Sequence, residues 1–568
     1  MEEFNLAKYR KFEHIEKDLN KWPISLFANT RKSFLIKLHK DVYNYFSSLP
    51  KEDLDQAIAR AIYLEKQRVK SNPWKADPPN EMQYYRKIQK EYNDNQLQAD
   101  KHEANKETLL RLIKRYSLEI IGHFNPKTFL TARKICDFFF HLILYPFGWQ
   151  SVFNLKRMNK KNMEAIHING HCEEVRALFK DHLVILVPTH SSNLDSVLIG
   201  YAVDNLLGLP AFSYGAGLNL FDSEFFAFFM NRLGAYKVDR RKKNSVYLQS
   251  LNSYSKLSVH DGVNTIFFPG GTRSRSGELE SKVKLGLLGS LVQAQRILIE
   301  DKSQKKIVVV PVVLGYESVL EARSLMIQHL QITGQEKYSA RVKKEGLASY
   351  LKFIKRLLSK PTHIVLTFGM PIDVFGNRVN ELGLSLDHKG VQIHQEDYFQ
   401  LDGKIVVDAQ REGIYTRELG EKICQVYKKY NYILPCHLVA FAAFKLLSKM
   451  NPQADIYGLV QIPEEDFVFP RKAFETLCLQ LRTILMELVK NKKLIDPMEL
   501  EGPIEEVITK GIAALGIFHI NRILFVDEFG RLLSQDFIGL LFYSNKMSVL
   551  ELDELIDWSS IQWNVDRF

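Results

Sequence analysis

Two residues suited to acid–base chemistry lie close together near the middle of the chain, His190 and Asp195. Histidine is the natural general base near neutral pH. A carboxylate on the far ring nitrogen would fix the tautomer of the imidazole and stabilise its protonated form, as in a catalytic triad. Taken alone, a histidine that follows a strand is more often structural than catalytic, so this pair needs support from elsewhere in the sequence.

The segment around this pair predicts a strand, a loop and a helix. Residues 183–188 form a short apolar run, which is typical of a buried strand. Residues 196–203 have the pattern of a buried helix, and good N-cap residues precede them: Ser191, Ser192 and Asn193. The helix is therefore expected to begin near Asn193, which puts Asp195 in its first turn, beside the histidine loop.

A loop rich in glycine and arginine follows another strand-like run, residues 265–268, so it should lie at the same edge of the sheet as His190. Gly270 and Gly271 allow close approach of the backbone, and hydroxyl and guanidinium donors come next: Thr272, Arg273, Ser274, Arg275 and Ser276. These groups suit a phosphate. The loop is not a Walker loop, because the Gly-Lys-Ser/Thr ending is missing. The alternative is a surface turn with solvated arginines.

Two further segments carry weaker signals. Residues 234–243 form a basic strand or turn in which Arg240 would supply a second phosphate contact, or a solvated basic turn. Residues 308–317, which include Pro311, predict a buried strand that runs into a turn. Taken alone, that segment is more typical of a core strand than of a site.

Together, the order and spacing of these segments resemble the four blocks of the glycerolipid acyltransferases, the family of glycerol-3-phosphate and lysophosphatidate acyltransferases. The first block, H-x-x-x-x-D, is His190 to Asp195, and the others are residues 234–240, 268–277 and 310–317. The resemblance covers roughly residues 165–375. Residues 216–220, 315–321 and the helical tail resemble the glycerol-3-phosphate branch. Other features resemble the lysophosphatidate branch: Asp239 with Arg240, and Pro269 with Thr272.

The resemblance implies transfer of a fatty acyl group from acyl-CoA or an acyl-carrier protein to the sn-1 hydroxyl of glycerol 3-phosphate, the first step of phospholipid synthesis. His190 would be the general base and Asp195 its partner. The implied substrate-binding residues are Arg240, Gly271, Thr272, Arg273, Arg275 and Pro311, with Lys284 as a weaker candidate. Backbone amides after Pro311 or near Gly271 would stabilise the oxyanion. No metal or cofactor is expected.

One position departs from the family pattern, because Gly270 stands where the family normally has a glutamate. The substitution leaves the loop without its acid, so the carboxylate is supplied elsewhere, the acceptor differs, or the activity is reduced. The same residues would also serve acylation of lysophosphatidate or dihydroxyacetone phosphate. Gly270 further keeps open a non-catalytic lipid-binding membrane protein. A hydrolase that uses Ser191 or Ser192 as nucleophile is disfavoured, since no G-x-S-x-G elbow is present.

The alternation of strand-like and helical segments predicts an α/β fold with a mainly parallel central sheet flanked by helices, and with helical N- and C-terminal regions. Five parts are expected: a helical region 1–134, a lipophilic and basic segment 135–162, the α/β acyltransferase domain 163–375, a polar insertion 376–411 and a helical domain 412–568.

The net charge of +11 favours an anionic partner. A phospholipid surface is preferred over nucleic acid, for which no motif is present. Residues 138–149 are lipophilic and cations follow, which suits a membrane surface, although a buried core helix would have the same composition. No signal peptide or apolar run of spanning length is found, and the five scattered cysteines indicate free thiols. The expected location is the cytoplasmic face of a membrane, the bacterial inner membrane.

Overall fold

The computed structural model of the protein describes residues 11–144, 165–218, 224–333, 362–460, 462, 467–517, 519 and 521–561. A seven-stranded sheet in the order β1-β7-β6-β2-β5-β3-β4 forms its centre. Its strands are β1 (Ile166–Gly170), β2 (Leu183–Pro188), β3 (Ser213–Gly217), β4 (Ala235–Val238), β5 (Thr265–Ile266), β6 (Ile307–Tyr316) and β7 (Ile364–Phe368). Every pairing is parallel except that between β6 and β7.

The two central strands explain why the sheet forms where it does. Every residue of β2 and of β6 is buried, as expected for near-continuous apolar runs covered on both faces. Helices that connect or follow the strands are Cys172–Asp181, Asp195–Asn205, Glu224–Met230, Ser245–His260, Leu285–Glu300 and Ala322–Ile332. The predicted α/β fold with a mainly parallel sheet is confirmed.

The N-terminal region is helical, as predicted. Its helices are Pro23–Asn29, Arg31–Ser47, Lys51–Ser71, Glu81–Asn95, Lys101–Ile120 and Pro126–Leu144. The second to fifth of these share a separate apolar core with Ser245–His260, the helix that follows β4. This packing ties the N-terminal region to the edge of the sheet that holds β3 and β4.

The C-terminal helices complete the main core. They are Ala409–Lys429, Pro435–Met450, Ile456–Val460, Arg471–Lys490, Ile504–Ile517 and Phe537–Ser544. Their buried side chains form one cluster with those of the sheet. Short strands lie at residues 378–379, 385–386, 392–393, 400–401 and 404–405, within the predicted polar insertion, and at 468–469, 525–526 and 532–533.

Five of the seven central strands coincide with apolar runs from which the sequence predicts strands: residues 165–168, 183–188, 265–268, 307–311 and 363–368. The prediction did not include β3, and it left β4 undecided between strand and turn, because both are short and carry glycine, tyrosine or lysine in place of an apolar run. The lipophilic segment 135–162 lies outside the described residues from 145 onward. Among the helices that the structure describes, none has the length and apolar character needed to cross a membrane. The five-part division of the chain stays a prediction.

Candidate active site

The loops after β2 and β5 meet at one edge of the sheet. The two strands are parallel and directly paired, so their carboxyl ends point the same way. His190 lies in the loop after β2, and the loop rich in glycine and arginine begins where β5 ends. The helix Asp195–Asn205 begins at Asp195, with Leu194 rather than a polar side chain at its N-cap position. The carboxylate of Asp195 therefore lies in the first turn, facing back to the loop.

His190 and Asp195 are in direct contact. The Nδ1 atom of His190 lies 2.7 Å from Oδ2 of Asp195, whose side chain is fully buried. The same oxygen accepts hydrogen bonds from the backbone amides of Ser191 at 2.6 Å and Ser192 at 2.9 Å. The phenolic hydroxyl of Tyr316, at the end of β6, donates to the other oxygen, Oδ1. Four donors around two oxygens suit an ionised carboxylate.

This arrangement determines which ring nitrogen of His190 can act as a base. An ionised carboxylate can only accept a hydrogen bond, so a neutral imidazole in this contact carries its proton on Nδ1 and keeps its lone pair on Nε2. The ring stacks on Phe268 with centroids 4.3 Å apart, and 17% of the side chain is exposed. The imidazole is thus oriented by Asp195 and remains partly exposed, as a general base must be.

The arginine loop holds the main chain of His190. The amide of Ser274 donates to the carbonyl oxygen of His190 at 2.7 Å, and the amide of His190 donates to Oε1 of Glu280, also at 2.7 Å. Nη1 of Arg273 lies 3.8 Å from Oε1 of Glu321. That oxygen also accepts from the hydroxyl of Ser192 at 2.9 Å. The structure therefore brings Arg273 to the same loop as His190.

The remaining predicted residues of this loop lie at the surface of the site or beside it. Gly271 has φ +76, a conformation that favours glycine, and a Cβ atom there would lie 2.6 Å from Cδ of Lys284. The side chain of Lys284 consequently covers Gly271. Thr272 is exposed and Arg275 is half-buried. Within the part of the chain that the structure describes, the guanidinium of Arg275 has no hydrogen-bond or ion-pair partner.

In the basic segment after β4, some cations are paired with carboxylates of the protein and others could bind a ligand. Arg241 donates to both oxygens of Asp239, at 2.9 and 2.8 Å, and also pairs with Asp77. Lys242 is buried and pairs with Glu119. Arg240 is exposed, and no hydrogen-bond or ion-pair partner is found for it among the described residues. Of these three cations, Arg240 alone is left to meet an anionic ligand.

The structure does not bring Pro311 to the surface of the site. Pro311 lies inside β6, in register with Val187 of β2, and its carbonyl oxygen accepts the amide of Gly369 at 2.7 Å. The next residue, Val312, lies between β2 and β7 in the interior of the sheet. The amide of Gly271 donates to the carbonyl oxygen of Phe268 at 3.0 Å. The Pro311–Val312 backbone therefore does not face a substrate, and the Gly271 amide is already paired.

The C-terminal region contributes to the site, which the sequence did not predict. Nζ of Lys546 is buried and donates to the carbonyl oxygen of Leu314 at 3.0 Å. Asn545 donates to the carbonyl oxygen of Ser276 at 2.9 Å. A Cβ atom on Gly277 would lie 2.1 Å from the carbonyl oxygen of Phe542, so only glycine permits this close approach. The helix Phe537–Ser544 and the residue that follows it thus pack directly on the arginine loop.

No three His, Cys, Asp or Glu side chains within the described ranges are grouped as they would be around a metal ion. The chemistry available at this edge of the sheet is that of an oriented imidazole beside guanidinium groups. Such a site can remove a proton from a substrate that carries an anionic group.

Comparison with known proteins agrees with this geometry. Residues 160–315 match the family model described as Acyltransferase. A glycerol-3-phosphate acyltransferase of Pseudomonas fluorescens (strain Pf0-1) is 30% identical over 284 residues, which are 50% of this chain. The chain is thus similar to the acyltransferases, and the relatives that it matches are named glycerol-3-phosphate acyltransferases. The region matched by the family model contains His190, Asp195 and the arginine loop, so it includes the residues that form the geometric site.

The match to these relatives is partial in length. A glycerol-3-phosphate acyltransferase of Pseudomonas putida KT2440 is 26% identical over 395 residues, 68% of this chain. The chain spans less than half the length of these relatives, 30% of the first and 43% of the second.

A solved structure of a 1-acyl-sn-glycerophosphate acyltransferase from Thermotoga maritima also matches, at 15% identity over 56% of this chain and 86% of that one. The TM-score of this match is 0.21.

Proposed function

We propose that this protein is a glycerolipid acyltransferase that transfers a fatty acyl group from a thioester, acyl-CoA or acyl-carrier protein, to the sn-1 hydroxyl of glycerol 3-phosphate. The observation that carries the proposal is the contact between Nδ1 of His190 and Asp195, which leaves Nε2 as a base beside the arginine loop. The names of the relatives in Pseudomonas point to the same acceptor.

The reaction needs one proton acceptor and no covalent intermediate. Nε2 of His190 takes the proton of the acceptor hydroxyl as its oxygen attacks the thioester carbon, and the new carbon–oxygen bond forms. The tetrahedral intermediate then collapses, the carbon–sulfur bond breaks, and the proton passes from His190 to the departing thiolate. Asp195 stabilises the imidazolium that exists between these steps, and general-base catalysis of this kind contributes about 10²–10⁴-fold.

The phosphate of the acceptor is bound by guanidinium groups in this proposal. Arg240 and Arg275 have no partner among the described side chains, and Arg273 makes only the long contact with Glu321. An arginine fork can hold a phosphate through two parallel hydrogen bonds, which also fixes the distance between the hydroxyl and His190. Thr272, Gly271 and Lys284 border the same loop.

An acceptor competition tests the proposal. The full chain in detergent receives a radiolabelled acyl-CoA or acyl-carrier protein, with glycerol 3-phosphate, lysophosphatidate or dihydroxyacetone phosphate, and the lipids are separated. Glycerol 3-phosphate is expected to yield a 1-acyl product in preference to the other two. Preferential acylation of lysophosphatidate or dihydroxyacetone phosphate would overturn the acceptor assignment, and the absence of any acylation would favour a non-catalytic lipid-binding protein.

We further propose that the chain contacts the surface of an anionic membrane on its cytoplasmic face. The helix Pro126–Leu144 exposes Leu130, Ile135, Phe138 and Phe139, and Lys134 lies among them. Apolar side chains next to a cation suit the boundary between lipid headgroups and acyl chains. Co-sedimentation with vesicles tests this: Phe138→Ser with Phe139→Ser should weaken binding to vesicles that contain phosphatidylglycerol, and equal binding would contradict it.

A further inference from the structure

Glu280 holds the main chain of the proposed base. Its Oε1 atom accepts a hydrogen bond from the backbone N–H of His190 at 2.7 Å. The carbonyl oxygen of His190 accepts a hydrogen bond from the backbone N–H of Ser274, also at 2.7 Å. Both backbone groups of His190 are therefore tied to the segment that follows β5. The segment that carries the phosphate-binding arginines is also the one that fixes where the imidazole stands.

The carboxyl group of Glu280 occupies the space in front of Gly270. A Cβ atom on Gly270 would lie 3.1 Å from Cγ and 3.3 Å from Oε1 of Glu280. A longer side chain at position 270 would run into the volume that this carboxyl group now fills. Gly270 is not in the left-handed region of backbone conformation, so the obstacle to a side chain there is the space rather than the backbone.

A buried cation balances the acidic groups of the site. Lys546 reaches this point from the C-terminal region and interacts electrostatically with both Glu280 and Asp195. Burial lowers the pKa of the Lys546 amine to about 8, and the two carboxylates oppose that shift. Burial raises the pKa of Glu280, while its hydrogen bond from His190 acts in the opposite direction. Glu280 is thus part of a charged cluster that includes the catalytic pair.

We propose that Glu280 is a positioning residue for His190, and that its carboxylate supplies from position 280 the acidic group that the third block lacks at Gly270. This inference rests on the proposed function, since it concerns the same reaction. It explains how the site keeps an acidic group although the usual glutamate is absent. Glu280 acts through the His190 backbone and through its charge, without touching the reacting atoms.

Moving the carboxylate between the two positions is the direct test. Glu280→Ala should lower kcat about ten- to hundredfold, with little change in KM for glycerol 3-phosphate. Glu280→Ala combined with Gly270→Glu should recover most of that loss, because the new side chain enters the vacated space. Glu278→Ala, an exposed glutamate of the same segment, is the matched control and should keep wild-type kcat.

A second readout does not depend on turnover. Mass spectrometry measures the rate at which diethyl pyrocarbonate modifies His190 as a function of pH. The midpoint of this pH dependence should lie at lower pH in Glu280→Ala than in the wild type. In the double variant it should return towards the wild-type midpoint. If the wild type acylates no acceptor but this shift is observed, the proposed function fails and the positioning role stands. If kcat and the modification profile of folded Glu280→Ala equal those of the wild type, or if the folded double variant recovers neither, the inference is overturned.

Discussion

The hydroxyl of Tyr316 donates to Oδ1 of Asp195, the carboxylate oxygen that His190 does not use. Burial, reinforced by the charge of Asp195, raises the pKa of Tyr316 well above its usual value, so the phenol keeps its proton. The end of β6 thereby fixes the carboxylate from one side, while the Ser191 and Ser192 amides fix it from the other. The fourth sequence block supports the first through this contact.

Tyr316→Phe tests the importance of this hydroxyl. Removing a hydrogen bond to a charged group leaves Asp195 less firmly oriented, and we expect kcat to fall about tenfold with KM unchanged. Steady-state kinetics with glycerol 3-phosphate measures the effect. The matched control is Tyr430→Phe, which removes a hydroxyl that bonds to His171 at 2.6 Å. Equal kcat values for the wild type and Tyr316→Phe would show that the contact is dispensable.

Arg240 and Arg241 are neighbours with different expected roles. Arg240→Ala should raise KM for glycerol 3-phosphate about ten- to hundredfold and leave the melting temperature unchanged, because the residue is exposed and makes no ion pair among the described residues. Arg241→Ala should lower the melting temperature, because it breaks the pairs with Asp239 and Asp77. Thermal unfolding and substrate saturation curves separate the two effects. An unchanged KM in Arg240→Ala would remove this residue from the phosphate site.

Stability should fall in mild acid because of His437. Burial, aided by the nearby charge of Lys546, lowers the pKa of His437 from 6.5 to about 3. Between these values the unfolded chain binds a proton that the folded chain does not, so the free energy of unfolding decreases as pH falls below 6.5. At pH 5 the free energy of unfolding is lower by about 2 kcal/mol because of His437.

Urea denaturation at pH 7 and pH 5 measures this effect. Between pH 7 and pH 5 the free energy of unfolding should decrease by about 2 kcal/mol less in His437→Gln than in the wild type. The reason is that glutamine stays neutral in both the folded and the unfolded state. His388→Gln, at an exposed position, is the control and should follow the wild type. The same decrease in the wild type and in His437→Gln would exclude His437 as the source.

The sequence revealed those parts of the fold and site that are continuous along the chain. Apolar runs predicted β2, β6 and β7, since buried strands need uniformly apolar side chains. The approach of His190 to Asp195 followed from a strand, a short loop and a helix start. The relation of Arg273 to His190 followed from the rule that carboxyl ends of parallel strands share an edge.

The supporting contacts could not be predicted in the same way. Lys546 lies far along the chain from the carboxylates it faces, and no local pattern marks a lysine that will be buried. Among the described residues, Arg241 is paired and Arg240 is not, because Asp77 from the N-terminal region binds Arg241. Glu280 has the sequence context of an ordinary polar loop. Its contact with His190 becomes visible only when the loops after β2 and β5 are placed side by side.

The measurement that tests the central claim most directly is the rate of acyl transfer to glycerol 3-phosphate by the wild type and by His190→Ala. We expect the wild type to release free thiol and form the acylated product, and His190→Ala to lose about 10²–10⁴-fold in kcat while unfolding at the same temperature. His394→Ala, at an exposed position, serves as the control. A folded His190→Ala variant that retains the full wild-type rate would contradict the assignment of His190 as the general base.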